Sequence, residues 1–173
     1  MCRHTHTTAG VAARTSTTMT NSHADPAERA EYDVLLIRLD DEVYALSSAN
    51  VREVGRYRQF TPVPGAPPTL PGIVSQRGVI LPIVDLRLVL GMSAAEATRA
   101  SRLVTVVHEE VEMALLVDAV IDLTAMPAAT FGPVPPALDP ARARFLRTVA
   151  YHNDQTVALL DVGEIVAVLR DWT

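Results

Sequence analysis

Short apolar runs bounded by turn-forming residues follow one another along most of this chain. Residues 34–39 and 43–46, for example, flank the turn signal Asp40-Asp41. Runs of about four to eight residues with such boundaries are typical of β-strands joined in hairpins. Two longer segments, residues 62–71 and 127–140, contain so many prolines that no helix can persist through them. The pattern predicts an all-β chain whose helices are short.

The same order of elements occurs twice: a hairpin, a short strand, a long loop, a second hairpin and a capped helix. Four residues recur 69 positions later, and these are Ala45, Leu46, Val51 and Glu53, which recur as Ala114, Leu115, Val120 and Asp122. The helix-capping residue Asp85 recurs as Asp161, 76 positions later. The order predicts an internal duplication with an insertion in the second half. Because each half offers about five short strands, we expect two small curled barrels, which leave no free strand edges.

The predicted organisation is a disordered tail over residues 1–30 and a duplicated domain over residues 31–173. Within that domain we expect one subdomain at about 31–92 and a second at about 100–169, with a helix at its C-terminal end. The tail is rich in Thr, Ser, Ala and His, and such a segment buries little. Its Cys2, His4 and His6 could be read as metal ligands, but a solvated tail is the favoured interpretation.

Composition excludes several classes of protein. A net charge of −5 argues against nucleic acid, because phosphate binding requires a basic surface. The single cysteine, Cys2, forbids an internal disulfide. The sequence contains no apolar run of the roughly 20 residues that a membrane span needs and no secretory signal. We therefore expect a cytoplasmic protein without membrane insertion.

Catalytic constellations are missing from the sequence pattern. Glycine-rich phosphate loops, metal-binding motifs and nucleophile elbows do not occur. His108 and His152 lie beside predicted hairpin turns. The acids have structural interpretations, with Asp85 and Asp161 as helix caps and Asp118 and Asp122 at strand ends. We expect no enzyme, no cofactor and no metal.

The most informative segment is Gly72-Ile73-Val74-Ser75-Gln76-Arg77-Gly78-Val79-Ile80-Leu81-Pro82-Ile83-Val84-Asp85-Leu86-Arg87. It resembles the signature of the CheW-like family of chemotaxis coupling proteins, which has a Gly-Ile/Val strand, an Arg-Gly turn and an apolar-Pro-Ile-Val-Asp-Leu-Arg strand and cap. Residues 39–54 resemble the opening hairpin and third strand of that family, and residues 114–120 its second hairpin. Three sites depart from the family pattern: Ser75-Gln76 replaces Asn-Leu, Ala119 replaces Gly, and Leu146-Arg147-Thr148 lacks the usual glycines.

The resemblance implies two SH3-like five-stranded β-barrels and a non-catalytic adaptor. Its implied partners are the regulatory domain of a CheA-type histidine kinase and the cytoplasmic tip helices of chemoreceptors, which would recruit the adaptor to membrane receptor arrays. The chain looks like the stand-alone adaptor of the family. A small-ligand-binding β-barrel is the alternative.

The resemblance also suggests the site. A receptor helix would lie in a groove lined by Val51, Glu53 and Val54, with Leu115 and Leu116 on the other wall. Each of these apolar residues could equally belong to the core. A second set of residues, Gly72, Arg77 and Gly78, forms the turn. Two roles for Arg77 remain open, since its guanidinium could clamp a partner or pair with an acid of its own chain.

Overall fold

A computed structural model describes residues 30–172 of the chain. Its eleven strands in this range are β1 (Glu31–Leu39), β2 (Glu42–Ser47), β3 (Val51–Arg56), β4 (Gly72–Gln76), β5 (Val79–Asp85), β6 (Arg102–His108), β7 (Val111–Val117), β8 (Ala119–Pro127), β9 (Phe131–Gly132), β10 (Leu146–His152) and β11 (Gln155–Leu160). The helices there are α1 (Leu86–Val89), α2 (Pro140–Ala143) and α3 (Val162–Trp172), with one 3-10 turn at Ala128–Thr130. The predicted all-β class with few helices is confirmed. The prediction for the tail lies outside the described residues, apart from Ala30.

The strands form two curled sheets that exchange strands between the halves of the chain. Sheet A has the order β8-β1-β2-β11-β10-β9, and sheet B has the order β3-β6-β7-β5-β4. Each sheet therefore takes one hairpin from one half and the remaining strands from the other. A division of the chain at residues 31–92 and 100–169 would therefore cut through both sheets, because β1 and β2 pair with β8 and β11.

Strand registers reveal the internal duplication directly. In sheet A, Ala45 of β2 lies opposite Leu159 of the parallel strand β11. In sheet B, Ala114 of β7 lies opposite Ile83 of β5 in the same way. These pairs differ by the 69 and 76 positions found in the sequence. Even the irregularity between β8 and β1 recurs at the matching place between β3 and β6. The duplication is thus visible residue by residue in the backbone, where the sequence similarity is weak.

The central core lies between the two sheets and repeats the same symmetry. It is made of buried apolar side chains from both halves, and nine of its pairs are related by the two offsets: Leu35/Val104, Ile37/Val106, Tyr44/Met113, Leu46/Leu115, Leu146/Leu70, Leu160/Val84, Val162/Leu86, Ile165/Val89 and Val166/Leu90. One smaller apolar cluster fills the curl of sheet A, and another fills the curl of sheet B. Burial of apolar surface is the main stabilising term in folding. Here the two halves supply equivalent sets of side chains to one shared core.

Both capped helices follow the last strand of their hairpins. Asp85 accepts a hydrogen bond from the backbone N–H of Arg87 at 3.0 Å, as an N-cap should. Asp161 accepts from the N–H of Glu164 at 3.2 Å. The two residues do not complete a reciprocal capping box, because the Glu164 carboxylate pairs with Arg144 instead of reaching back to the Asp161 backbone.

The second Pro-rich segment is more ordered than expected. Residues 127–140 were predicted as a loop, but they contain the 3-10 turn and the short strand β9, and α2 begins at their end. Asp139 caps α2 through the N–H of Ala141, with Pro140 in the first turn. Proline is well suited to that position, since it has no N–H to satisfy. Pro82 sits where β5 has β4 on one side only, because pairing with β7 starts at Ile83.

Candidate protein-interaction site

The turn between β4 and β5 presents a guanidinium to solvent. Arg77 and Gly78 both have positive φ, of 51° and 80°. Two such residues form the kind of two-residue turn whose twist matches that of a hairpin. The tip projects beyond the sheet, and the Arg77 side chain is 80% exposed.

Arg77 faces Glu53 across the seam between the two edges of sheet B. Its Nη2 donates to Oε1 of Glu53 at 3.3 Å, and its Nε lies 3.3 Å from Oε2. Glu53 belongs to β3 at one edge, and the Arg77 turn follows β4 at the other. An exposed pair of this kind contributes about 0.2–1 kcal/mol. The Arg77 guanidinium therefore pairs with an acid of its own chain and is still accessible to a partner.

Exposed apolar side chains lie next to the members of this ion pair along the chain. Val54 lies on β3 and is 40% exposed, while Val79 and Ile80 of β5 are also exposed. We call Glu53, Val54, Arg77, Val79 and Ile80 the seam surface. The exposed Val79 and Ile80 were missed by the sequence analysis, although both are apolar residues beside a predicted turn. An apolar patch with charges to orient a partner is what a protein-interaction site requires.

The other residues that were predicted to line the groove do not belong to the seam surface. Val51 is half-buried and packs against the central core. Leu115 is fully buried in that core, where it is the counterpart of Leu46, so its predicted place on a groove wall is wrong. The reason is that β7 lies in the middle of sheet B, with cores on both of its faces. Leu116 is half-buried and packs against the smaller cluster of sheet B.

Gly72 has a structural reason of its own. A Cβ at this position would lie 2.3 Å from the carbonyl oxygen of Thr61 and 2.6 Å from the Phe60 ring. Thr61 and Ile73 exchange two backbone hydrogen bonds of 2.9 Å, which join the segment after β3 to β4. Only glycine permits this close approach. Gly72 is thus buried and lets the segment after β3 pack closely against β4.

A partly buried ion pair, which the sequence analysis did not single out, joins the two sheets. Arg87 donates from Nε to Oδ1 of Asp118 at 2.8 Å, and its Nη2 makes a further contact with Oδ2. Asp118 also accepts from the backbone N–H of Asp40 at 2.7 Å. Burial favours a raised pKa for Asp118, but the hydrogen bonds from Arg87 and Asp40 outweigh it and lower that pKa. In contrast, burial raises the pKa of Asp85, despite its hydrogen bonds to backbone N–H groups.

Titratable groups do not converge on a reaction centre in residues 30–172. His108 and His152 end β6 and β10, at turns of different sheets. No group of three His, Cys, Asp or Glu in the same range is arranged to hold a metal ion. No helix in the described part of the chain is long and apolar enough to cross a membrane.

Two interlocked curled sheets that present an exposed apolar and charged surface define a protein-interaction module. The CheW-like domain model matches residues 33–170, and the chain belongs to this family. Among curated relatives, the chemotaxis protein CheW of Rhizobium meliloti is 29% identical over 77% of this chain and 86% of its own length. Protein FrzA of Myxococcus xanthus is 29% identical over 82% of this chain and 89% of its own.

A solved structure supports the same assignment. The crystal structure of the scaffolding protein TtCheW from Thermoanaerobacter tengcongensis superposes with a TM-score of 0.71 and 25% sequence identity. The match covers 76% of this chain and 90% of that one. The predicted family and the predicted fold of two curled β-subdomains with few helices are thereby confirmed.

Proposed function

We propose that this protein is a non-catalytic adaptor that couples chemoreceptors to a CheA-type histidine kinase. Family membership and the likeness to a scaffolding protein support this function. Its partners would be the cytoplasmic tip helices of the receptors and the regulatory domain of the kinase. The protein would then act in the cytoplasm, at membrane receptor arrays. The small-ligand alternative has no support from the relatives described above.

The observation that carries the proposal is the seam surface. A receptor helix binds in a groove through apolar anchors at helical spacing. Val54 and Ile80 offer exposed apolar contacts, and the Glu53–Arg77 pair can orient the helix by exchanging partners with its charges. Leu115 has no part in this contact, since it is buried.

An adaptor needs a second surface for its second partner. Sheet A has an exposed apolar strip on its edge strand β8, with Ile121 and Leu123 largely exposed. Leu123 is the counterpart of Val54 in the duplication, so the two halves offer related but chemically different surfaces. Arg52 and Arg56 flank Val54, whereas Asp122 lies beside Leu123. We assign the receptor to the seam surface and the kinase domain to the β8 strip.

Titration calorimetry with each partner separately tests this assignment. Val54→Asp places a carboxylate in an apolar contact, which costs about 2–5 kcal/mol of binding free energy. We expect it to abolish receptor binding while kinase binding survives, and Leu123→Asp to do the reverse. Tyr151→Asp is the matched control, because Tyr151 is also exposed but lies outside both surfaces. If folded Val54→Asp binds the receptor fragment normally, the seam surface is not the receptor site.

A further inference from the structure

Two polar side chains are buried in the otherwise apolar curl of sheet B. Gln76 is 7% exposed and Thr105 is 1% exposed. The Thr105 hydroxyl donates to the Gln76 side-chain oxygen at 3.2 Å. The counterparts of these residues in sheet A are His152 and Leu36, so the fold itself does not demand a polar pair here.

The pair lies directly beneath the seam surface. Gln76 and Arg77 are consecutive, but the Gln76 side chain is buried against Thr105, whereas the Arg77 side chain is exposed and pairs with Glu53. Thr105 and Glu53 are themselves register partners on β6 and β3. The end of β4 and the turn that follows are therefore held by two contacts, a buried one to Thr105 on β6 and an exposed one to Glu53 on the edge strand β3.

The inner contact is the one that can fix the turn. The outer ion pair is exposed and competes with water, so it holds Arg77 only weakly. A buried hydrogen bond is directional, and in a low-dielectric interior an unpaired hydroxyl or amide is costly. Rotation of the turn would break this hydrogen bond, and the buried Gln76 and Thr105 side chains could not replace it with hydrogen bonds to water.

We propose that Gln76 and Thr105 are positioning residues that hold the Arg77 turn in the orientation in which it meets the receptor helix. This inference rests on the proposed function, because it concerns the same surface. It gives the pair a role in partner binding that goes beyond filling the core.

The double substitution Gln76→Leu with Thr105→Val tests the inference. Removing both polar partners together while keeping similar shapes is nearly neutral or stabilising for folding. We expect an unchanged or raised unfolding midpoint but about three- to tenfold weaker receptor binding. Backbone amide relaxation by NMR should show increased mobility at Arg77 and Gly78. A purely structural role would leave binding and the mobility of the turn unchanged in a folded variant.

Three further variants keep the result interpretable. Thr105→Ser retains the hydroxyl and should keep wild-type receptor affinity. Ser101→Ala removes another buried hydroxyl, just before β6, which accepts a backbone hydrogen bond from Thr98 at 2.8 Å, and should leave receptor binding unchanged. Adding the double substitution to Arg77→Ala should weaken binding no further, because the residue being positioned is already gone.

The outcomes separate the inference from the proposed function. If Arg77→Ala loses receptor binding but the double variant binds as tightly as wild type, the positioning role is refuted and the adaptor site stands. If Arg77→Ala itself binds normally, the seam surface is not the receptor site and the inference fails with it. Weaker binding by the folded double variant, absent in the Arg77→Ala background, supports the positioning role.

Discussion

Arg87 pairs with Asp118 at the point where the chain crosses from sheet B to sheet A. Arg87 lies on α1 after the last strand of sheet B, and Asp118 lies at the crossover from β7 to β8. The Asp118 carboxylate also accepts a backbone hydrogen bond from Asp40, in the β1–β2 turn of sheet A. One carboxylate thus ties together a helix, a crossover and a turn. The counterparts of Arg87 and Asp118 in the duplication are Gly163 and Ala49, so this connection exists on one side of the molecule only.

We predict that in Asp118→Asn the free energy of unfolding falls less on acidification than it does in the wild type. The folded state lowers the pKa of Asp118 below its unfolded value of about 3.9, so its stabilisation is present above about pH 4 and is lost as the pH falls through the folded pKa. At pH 7 the variant should lose about 1–3 kcal/mol of unfolding free energy. Urea denaturation at a series of pH values measures both effects.

Asp40→Asn is the matched control for that experiment. Asp40 is mostly exposed and lies 3.8 Å from Arg87, and its left-handed φ of 56° suits Asn as well as Asp. We expect less than about 0.5 kcal/mol of change. Equal losses of stability on acidification by wild type and Asp118→Asn would rule out the proposed role of this carboxylate.

We further predict that Leu115→Ala and Leu46→Ala destabilise the protein by similar amounts. Both side chains are fully buried at equivalent places in the central core, and truncating such a leucine costs about 2–5 kcal/mol. Chemical denaturation measures the loss, and any folded fraction should still bind the receptor fragment. A Leu115→Ala protein of unchanged stability that no longer bound the receptor would restore Leu115 to the interaction surface.

The strands and the duplication could be predicted from the sequence because both depend on local order. Alternation, turn residues and the caps Asp85 and Asp161 are local signals, and they located nearly every strand and both main helices. The exchange of strands between halves could not be predicted in this way. A hairpin such as β1–β2 has the same local sequence whether it pairs with its own half or with the other.

The candidate site was only partly predictable for a related reason. Exposure of Arg77 follows from its place in a turn, which is a local feature. Burial of Leu115 depends on which strands flank β7, and that is decided by the whole fold. The Arg87–Asp118 pair was missed because its partners are 31 positions apart and belong to no repeated pattern.

A third prediction on stability concerns Asp85, a buried helix cap whose pKa is raised by burial. We expect Asp85→Asn to keep unfolding free energy at pH 7 unchanged or slightly higher, since Asn caps helices as well as Asp without a buried charge. Asp85→Ala should lose about 0.5–2 kcal/mol, because the N–H of Arg87 loses its acceptor. Thermal unfolding of the two variants compares them directly. Equal destabilisation by both would mean that the charge of Asp85 matters more than its capping hydrogen bond.

The last prediction concerns the exchange of strands between the two halves. Residues 30–95 contain β1–β5 and α1 but lack the remaining strands of sheets A and B. Residues 96–172 contain those remaining strands but lack β1–β5. We expect each fragment alone to show no cooperative unfolding, while the two mixed together regain the sheet signal by circular dichroism. The matched control is the full chain cleaved at a protease site placed in the exposed segment near residue 95, which should remain folded until the pieces are separated. Cooperative unfolding of residues 30–95 alone would contradict the exchanged topology and favour two consecutive subdomains.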